Sequence, residues 1–240
     1  GQAAVRALQV DKPDYVFGLI GSATMEMFDA LYDADDINFI GIHDERTGTH
    51  MADGYARASG RAGVVLAGQN GPGATNLVTG LAQAKAAFSP VVSIAGALSS
   101  EHQYRDAFQE VDQQALFTPV TKKTWTAPRA DRVPELFREA FRLALTPRMG
   151  PVQLNLPRDV LAARHAVPPA RATSGHRGIV ESLPIATAWH RGPAASPRCV
   201  ATGRGWAWTL AFPSSPRGWS TAALRATRCR RLSSQRPPAP

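Results

Sequence analysis

Residues that could do chemistry gather in four short stretches, three directly after apolar runs and one in the long loop behind a fourth run. They are residues 21–23 (Gly-Ser-Ala), 43–45 (His-Asp-Glu), 68–73 (Gly-Gln-Asn-Gly-Pro-Gly) and 107–110 (Ala-Phe-Gln-Glu). Ligands of doubly wound sheets bind beyond the carboxyl ends of the strands, so a site is expected at such turns. Within these stretches Glu45 is the candidate group for proton chemistry.

Taken one at a time, these residues also have simpler structural explanations. Glu45 precedes a helical pattern, and an acid in a first helical turn is favoured by the helix dipole. The stretch 68–73 fits neither the dinucleotide fingerprint nor a P-loop, so its glycines alone predict only a tight turn. His43 and His50 have no third ligand at metal spacing, which argues against a metal site in the body of the chain.

The elements that would position these turns alternate between buried strands and amphipathic helices. Apolar runs typical of strands covered on both faces, and helical patterns, occupy the following ranges: strands 15–20, 37–42, 63–68, 91–96 and 151–156, and helices 75–88 and 133–145. Crossovers of this length between apolar strands predict an α/β fold, with a doubly wound, mostly parallel sheet and helices on both faces.

The charge distribution divides the chain at residue 164. Residues 1–164 hold 16 of the 27 Lys and Arg and 18 of the 19 Asp and Glu, a net charge of −2. Residues 165–240 hold 11 Arg and one acid, a net charge of +10, together with both cysteines. We therefore expect a folded domain over 1–164 and an irregular, Arg- and Pro-rich tail over 165–240. The basic pI gives no support for nucleic-acid binding by the body.

The tail composition leaves three explanations open. It is compatible with a linker or a nucleic-acid-binding arm, and also with out-of-frame translation of a GC-rich gene.

The chain starts without Met, in what looks like a helix already under way, so we expect a fragment. No apolar run approaches the roughly 20 residues that span a bilayer, and we expect a cytoplasmic protein.

The four turns, in this order, resemble the pyrimidine-binding domain of thiamine-diphosphate enzymes of the acetolactate synthase type. The resemblance rests on four motifs: Phe-Gly-Leu-Ile-Gly-Ser-Ala at 17–23, Glu45 followed by His-Met-Ala-Asp-Gly-Tyr-Ala-Arg-Ala-Ser-Gly at 50–60, Asn-Gly-Pro-Gly-Ala-Thr-Asn at 70–76, and Ala-Phe-Gln-Glu-Val-Asp at 107–112. Residues 150–152 and 156–160 continue it. The variants at 20–23 and 68–73 are more similar to sulfoacetaldehyde acetyltransferase, whereas Pro-Gly-Ala-Thr-Asn-Leu at 72–77 is more similar to acetolactate synthase.

The resemblance implies roles for particular residues. The matching glutamate, Glu45, would hydrogen-bond the aminopyrimidine ring of thiamine diphosphate, and Gln109 would be a second catalytic group. Phe108 would pack beside Gly21, Ser22 and Gln109, and Arg148 matches a position that contacts FAD. The cofactor-binding set implied in this way is Gly21, Ser22, Glu45, Gly71, Pro72, Gly73, Asn76, Phe108 and Arg148.

The family further implies a 2-keto acid or related acyl donor as substrate and a homodimer or homotetramer as the full-length assembly. Two departures stand out: Asp44 precedes Glu45 where the family commonly has His, and no Gly-Asp-Gly segment occurs in these 240 residues. Mg²⁺ would therefore bind through a domain absent from this chain. We expect the chain to be inactive alone. A non-catalytic binding module, with or without a nucleic-acid-binding tail, is the alternative from another class.

Overall fold

The computed structural model describes residues 1–164, 199–202 and 205–208. The chain divides into two compact units, Gly1–Ala188 and Trp189–Pro240. Residues 1–164 belong to the first unit and the two short stretches to the second.

Six parallel strands form the sheet of the first unit, in the order β2-β1-β3-β4-β6-β5. The strands are short, and apolar or β-branched residues predominate in them. Their bounds are β1 Tyr15–Leu19, β2 Asn38–Gly41, β3 Gly63–Ala67, β4 Val91–Ala97, β5 Thr124–Thr126 and β6 Val152–Pro157. The predicted doubly wound α/β fold is confirmed. The strand order reverses direction between β1 and β3, where ligands of such sheets bind.

Seven α-helices in the described part of the first unit cover the two faces of the sheet. Their bounds are α1 Gln2–Asp11, α2 Met25–Tyr32, α3 Glu45–Ser59, α4 Pro72–Ala86, α5 Gln113–Phe117, α6 Val133–Leu145 and α7 Arg158–Ala162. One core cluster joins α1, α2 and α6 to the sheet, and a second joins α3, α4 and α5 to it. The helices thus lie on both faces, as the pattern predicts.

Helices α3 and α4 approach each other closely at Gly80. A Cβ atom placed on Gly80 would lie 2.5 Å from Cβ of the buried Thr49, so only glycine fits at this separation. The hydroxyl of Thr49 donates a hydrogen bond of 2.7 Å to the carbonyl of Glu45, one turn earlier in α3. This contact sets the distance between the two helices that begin at the candidate site.

Two antiparallel strands, β7 (Cys199–Thr202) and β8 (Gly205–Trp208), are described in the second unit. These two strands are not predicted from the sequence, because the Arg- and Pro-rich composition of residues 165–240 indicates an irregular tail. The rest of the predicted irregular tail lies outside the described residues.

Candidate functional site

Glu45 is a buried acid at the carboxyl edge of the sheet. It is the first residue of α3 and is only 4% exposed. Its Oε2 accepts a hydrogen bond from Nδ2 of Asn76 on α4, 3.0 Å away. In the part of the chain that the structure describes, Oε1 has no hydrogen-bond partner. Oε1 is not among the fully buried side-chain atoms of the described residues that lack a partner, so this oxygen stays accessible at the edge of the sheet although the residue as a whole is buried.

The neighbouring acid, Asp44, caps α3. Its Oδ1 accepts hydrogen bonds from the backbone nitrogens of Arg46, at 2.8 Å, and Thr47, at 3.4 Å. A side chain that caps a helix satisfies amide groups that lack a partner within the helix. Asp44 therefore fixes the residue at which α3 begins, and its carboxylate is engaged by two backbone nitrogens and by the guanidinium of Arg46.

A glycine turn, residues 68–73, connects β3 to α4. Gly71 adopts φ 52° and ψ −108°, and Gly73 donates its backbone N–H to the carbonyl of Asn70 at 3.3 Å. This is the geometry of a type II′ turn, whose first central position requires glycine. A Cβ on Gly73 would lie 3.1 Å from Oε1 of Glu45, so the absent side chain keeps the space beside that oxygen open.

The second segment of the site is the Gln109 loop, residues 98–112, which crosses from β4 to α5. Gln109 has φ 61° and accepts, at its backbone carbonyl, a hydrogen bond of 3.0 Å from Nδ2 of Asn70. Its side-chain Oε1 accepts one of 2.6 Å from Nε2 of Gln69, whose own Oε1 accepts one of 3.0 Å from Oγ of Ser22. Gln69 thus links two predicted site residues, although the sequence pointed only to its stretch, 68–73, and not to its side chain. The pair of adjacent amides at 69–70 was the available signal.

Glu110 organises the backbone of the same loop. Its carboxylate accepts hydrogen bonds from the backbone nitrogens of Tyr104 at 2.6 Å, Ala107 at 2.9 Å and Arg105 at 3.3 Å. These bonds, that from Ala107 foremost, lower the pKa of Glu110 below the ordinary glutamate value because they favour the charged form. An ionised surface carboxylate therefore holds the turn that precedes Gln109.

The structure brings most of the predicted site residues together at one edge of the sheet. Those that meet there are Gly21, Ser22, Glu45, Gly71, Pro72, Gly73, Asn76 and Gln109. Gly21 contributes by contact with Gly68, where an added Cβ would lie 2.6 Å from the Gly68 carbonyl carbon. Phe108 does not pack beside them, because its side chain is turned outward and is 84% exposed.

Arg148 lies at the opposite edge of the sheet, before β6. Its guanidinium stands 5.5 Å from the ring centroid of Phe88, and both residues line a groove with Lys85 and Lys122. The ammonium of Lys122 donates to the carbonyls of Leu143 and Thr146, and burial lowers its pKa. Arg148 itself forms no ion pair within the described residues.

Within residues 1–164 and the hairpin, no group of three or more His, Cys, Asp or Glu side chains is arranged to hold a metal ion. The same residues contain no helix that is both long and apolar enough to cross a membrane.

The chain is similar to enzymes that use thiamine pyrophosphate. A family model described as the thiamine pyrophosphate enzyme N-terminal TPP binding domain matches residues 1–116. A probable acetolactate synthase large subunit of Methanocaldococcus jannaschii is 45% identical over 159 residues, which are 66% of this chain and 27% of that protein. The large subunit of acetolactate synthase isozyme 3 of Escherichia coli is 35% identical over 191 residues, 75% of this chain and 33% of that protein.

A third relative, the acetolactate synthase large subunit of Corynebacterium glutamicum, is 38% identical over 180 residues, 74% of this chain and 29% of that protein. Residues 1–164 make up about two thirds of the 240 residues, whereas the second and third matches cover 75% and 74% of the chain. Those two matches therefore run past residue 164. The chain spans about a quarter to a third of the length of these curated relatives. Its N-terminal part belongs to the thiamine pyrophosphate enzymes, as an N-terminal TPP-binding domain of the acetolactate synthase type.

Proposed function

We propose that residues 1–164 form the pyrimidine-binding domain of an enzyme that decarboxylates a 2-keto acid, or cleaves a related acyl donor, and transfers the acyl unit. The observation that carries the proposal is the state of Glu45. It is buried and held by one amide at Oε2, and its Oε1 has no hydrogen-bond partner among the described residues. A ring nitrogen that carries or shares a proton is the partner that such an atom fits.

Thiamine diphosphate, when bound, supplies the electron sink for cleavage of a bond beside a carbonyl group. The role of this chain is to bind and orient. Oε1 of Glu45 would hold a proton shared with the aminopyrimidine, while Asn76 keeps the carboxylate in one orientation. The absent side chain of Gly73 leaves space beside Oε1, and Gln109 would face the bound substrate.

The proposal extends to further cofactors and partners. Mg²⁺ would bind through a domain that also holds the diphosphate, in a homodimer or homotetramer of longer chains. FAD would contact Arg148, whose position above Phe88 leaves its N–H groups free of any carboxylate among the described residues. The names of the relatives favour an acetolactate synthase over a sulfoacetaldehyde acetyltransferase.

A chimera tests the proposal. The 159 residues aligned with the M. jannaschii protein would replace the matching segment of that protein. We expect the chimera to release CO₂ from pyruvate only in the presence of thiamine diphosphate and Mg²⁺. Glu45→Gln should lower turnover roughly a hundredfold or more, because it removes a general acid–base group while keeping the side chain's size.

Asp44→Asn is the matched control. Because Asp44 caps α3 rather than facing the same space as Glu45, its replacement should reduce stability modestly and change turnover far less. Equal turnover in the chimera with and without Glu45→Gln would contradict the proposal.

A further inference from the structure

Three side-chain amides meet between the glycine turn and the Gln109 loop. Nδ2 of Asn70 donates to the backbone carbonyl of Gln109 at 3.0 Å. Nε2 of Gln69 donates to Oε1 of Gln109 at 2.6 Å and lies 3.4 Å from Oδ1 of Asn70. The remaining atom of Gln69, Oε1, accepts from Oγ of Ser22 at 3.0 Å. All four polar atoms of the Gln69 and Asn70 side chains are therefore engaged.

The direction of each of these hydrogen bonds follows from a single fixed acceptor. A backbone carbonyl can only accept, so Asn70 must turn Nδ2 toward the carbonyl of Gln109 and Oδ1 toward Gln69. Gln69 then turns Nε2 toward Asn70, because the reversed amide would place two oxygens 3.4 Å apart. The same Nε2 group meets the side chain of Gln109, which consequently turns its oxygen inward.

The hydroxyl of Ser22 is consistent with this order. It donates to the one atom of Gln69 that can only accept, so donors and acceptors alternate along the whole chain of contacts. The amide nitrogen of Gln109 is the group left over. It has no hydrogen-bond partner among the residues described, and Gln109 is half-buried rather than sealed from solvent.

From this network we infer that Gln69 and Asn70 are positioning residues, which fix Gln109 so that it presents an N–H donor to the ligand. The group recognised there is an oxygen acceptor, such as the carboxylate or carbonyl oxygen of a 2-keto acid, and a ligand N–H is disfavoured. The identity of the ligand rests on the proposed function, whereas the orientation of the amide rests on the hydrogen bonds alone.

Side-chain amide exchange in the 240-residue chain, followed by NMR, tests the orientation directly. The NH₂ protons of Gln69 should exchange with solvent roughly tenfold more slowly than those of Gln109, since one set is hydrogen-bonded and the other is not. Slower exchange at Gln109 than at Gln69 would overturn the inference.

Gln69→Glu reverses the predicted polarity. A carboxylate at 69 can only accept, so Gln109 should rotate, donate its NH₂ group to residue 69 and become the protected amide. Gln83→Glu, on the exposed side of α4, adds the same charge away from the network and should leave exchange at Gln109 unchanged. If Gln109 exchanges equally fast in Gln69→Glu and wild type, Gln69 does not orient it.

The ligand is tested separately in the chimera described above, which supplies the diphosphate-binding domain, with pyruvate as the probe in the presence of thiamine diphosphate and Mg²⁺. Pyruvate should shift the Nε2 resonance of Gln109 in the chimera and leave it unshifted in the chimera that carries Gln69→Glu. No shift in the unsubstituted chimera, with the exchange pattern as expected in the 240-residue chain, would overturn the assignment of a keto acid and leave the orientation of Gln109 standing. A failure of the proposed function is thus distinguished from a failure of the positioning network.

Discussion

The glycine turn and the Gln109 loop meet at the same edge of the sheet but are held in place by different forces. The glycine turn depends on the absence of side chains: Gly68 lies against Gly21, and Gly71 lies against Gln109. The Gln109 loop depends on a charge, since the carboxylate of Glu110 binds three backbone N–H groups. The glycine turn should therefore be insensitive to pH and intolerant of added atoms, whereas the backbone geometry of the Gln109 loop should depend on pH.

The largest effect is expected from Gly68→Ala. The new methyl would overlap the backbone nitrogen of Gly21 and the carbonyl of Leu19, neither of which can rotate away. We expect the free energy of unfolding in urea to fall by about 3 kcal/mol, the upper range for overpacking.

Gly54→Ala in α3 is the control for that change, because its methyl would meet no atom within 4 Å. Its stability should be equal to the wild type or higher by up to about 1 kcal/mol. Equal stability of Gly68→Ala and Gly54→Ala would show that close backbone contact does not hold the glycine turn.

A smaller effect is expected from Gly71→Ala. Its φ of 52° would be strained for alanine by about 1–3 kcal/mol, and the methyl would lie 2.5 Å from the carbonyl oxygen of Gln109. The change should also displace the Gln109 loop, so the Asn70 side-chain amide should lose its protection from exchange. Retained protection at Asn70 would mean that the loop does not rest on Gly71. Gly41→Ala, whose methyl would meet only a Phe39 ring carbon at 4.0 Å, is the matched control.

The smallest effect is expected from pH, and it should be confined to the Gln109 loop. The pKa of Glu110 is lowered in the folded chain, so its contribution is fully present above the ordinary glutamate pKa and is lost as pH falls through the lowered value. Protection of the backbone amides of Tyr104 and Ala107 should fall over that range, while protection of Gly73 stays constant. Glu110→Gln should remove the pH dependence. A pH-independent loop in the wild type would contradict the role given to Glu110.

Most of the sheet is predictable from the sequence because buried parallel strands are short apolar runs. The helix 133–145 is predicted with its observed bounds, and the other predicted ends differ by up to three residues. The strand β5 is missed because Thr124–Thr126 is a three-residue edge strand without an apolar run. The strands β7 and β8 are missed for a different reason, because the Arg- and Pro-rich composition of residues 165–240 predicts an irregular tail.

The candidate site is predictable only in part. Glu45 and the glycine turn are found because their residue types are tied to a strand end and a helix start. Gln69 is not found, because its role depends on contacts with Gln109, 40 residues later. The outward position of Phe108 is likewise invisible in the sequence, since an aromatic residue in a loop is more often expected to pack.

The close contact between Gly80 and Thr49 has a consequence for the tolerance of this fold to mutation. Thr49 lies one helical turn, about 5.4 Å, beyond Glu45, and Gly80 lies one turn beyond Asn76. The separation of the two helices at Thr49 and Gly80 therefore sets the length of the hydrogen bond between Glu45 and Asn76. A methyl group at position 80 would touch no ligand, yet it would push apart the two helices that carry the acid and its amide. Gly80 should therefore tolerate substitution poorly although it touches no ligand, because its side chain would disturb the Glu45–Asn76 hydrogen bond one turn away.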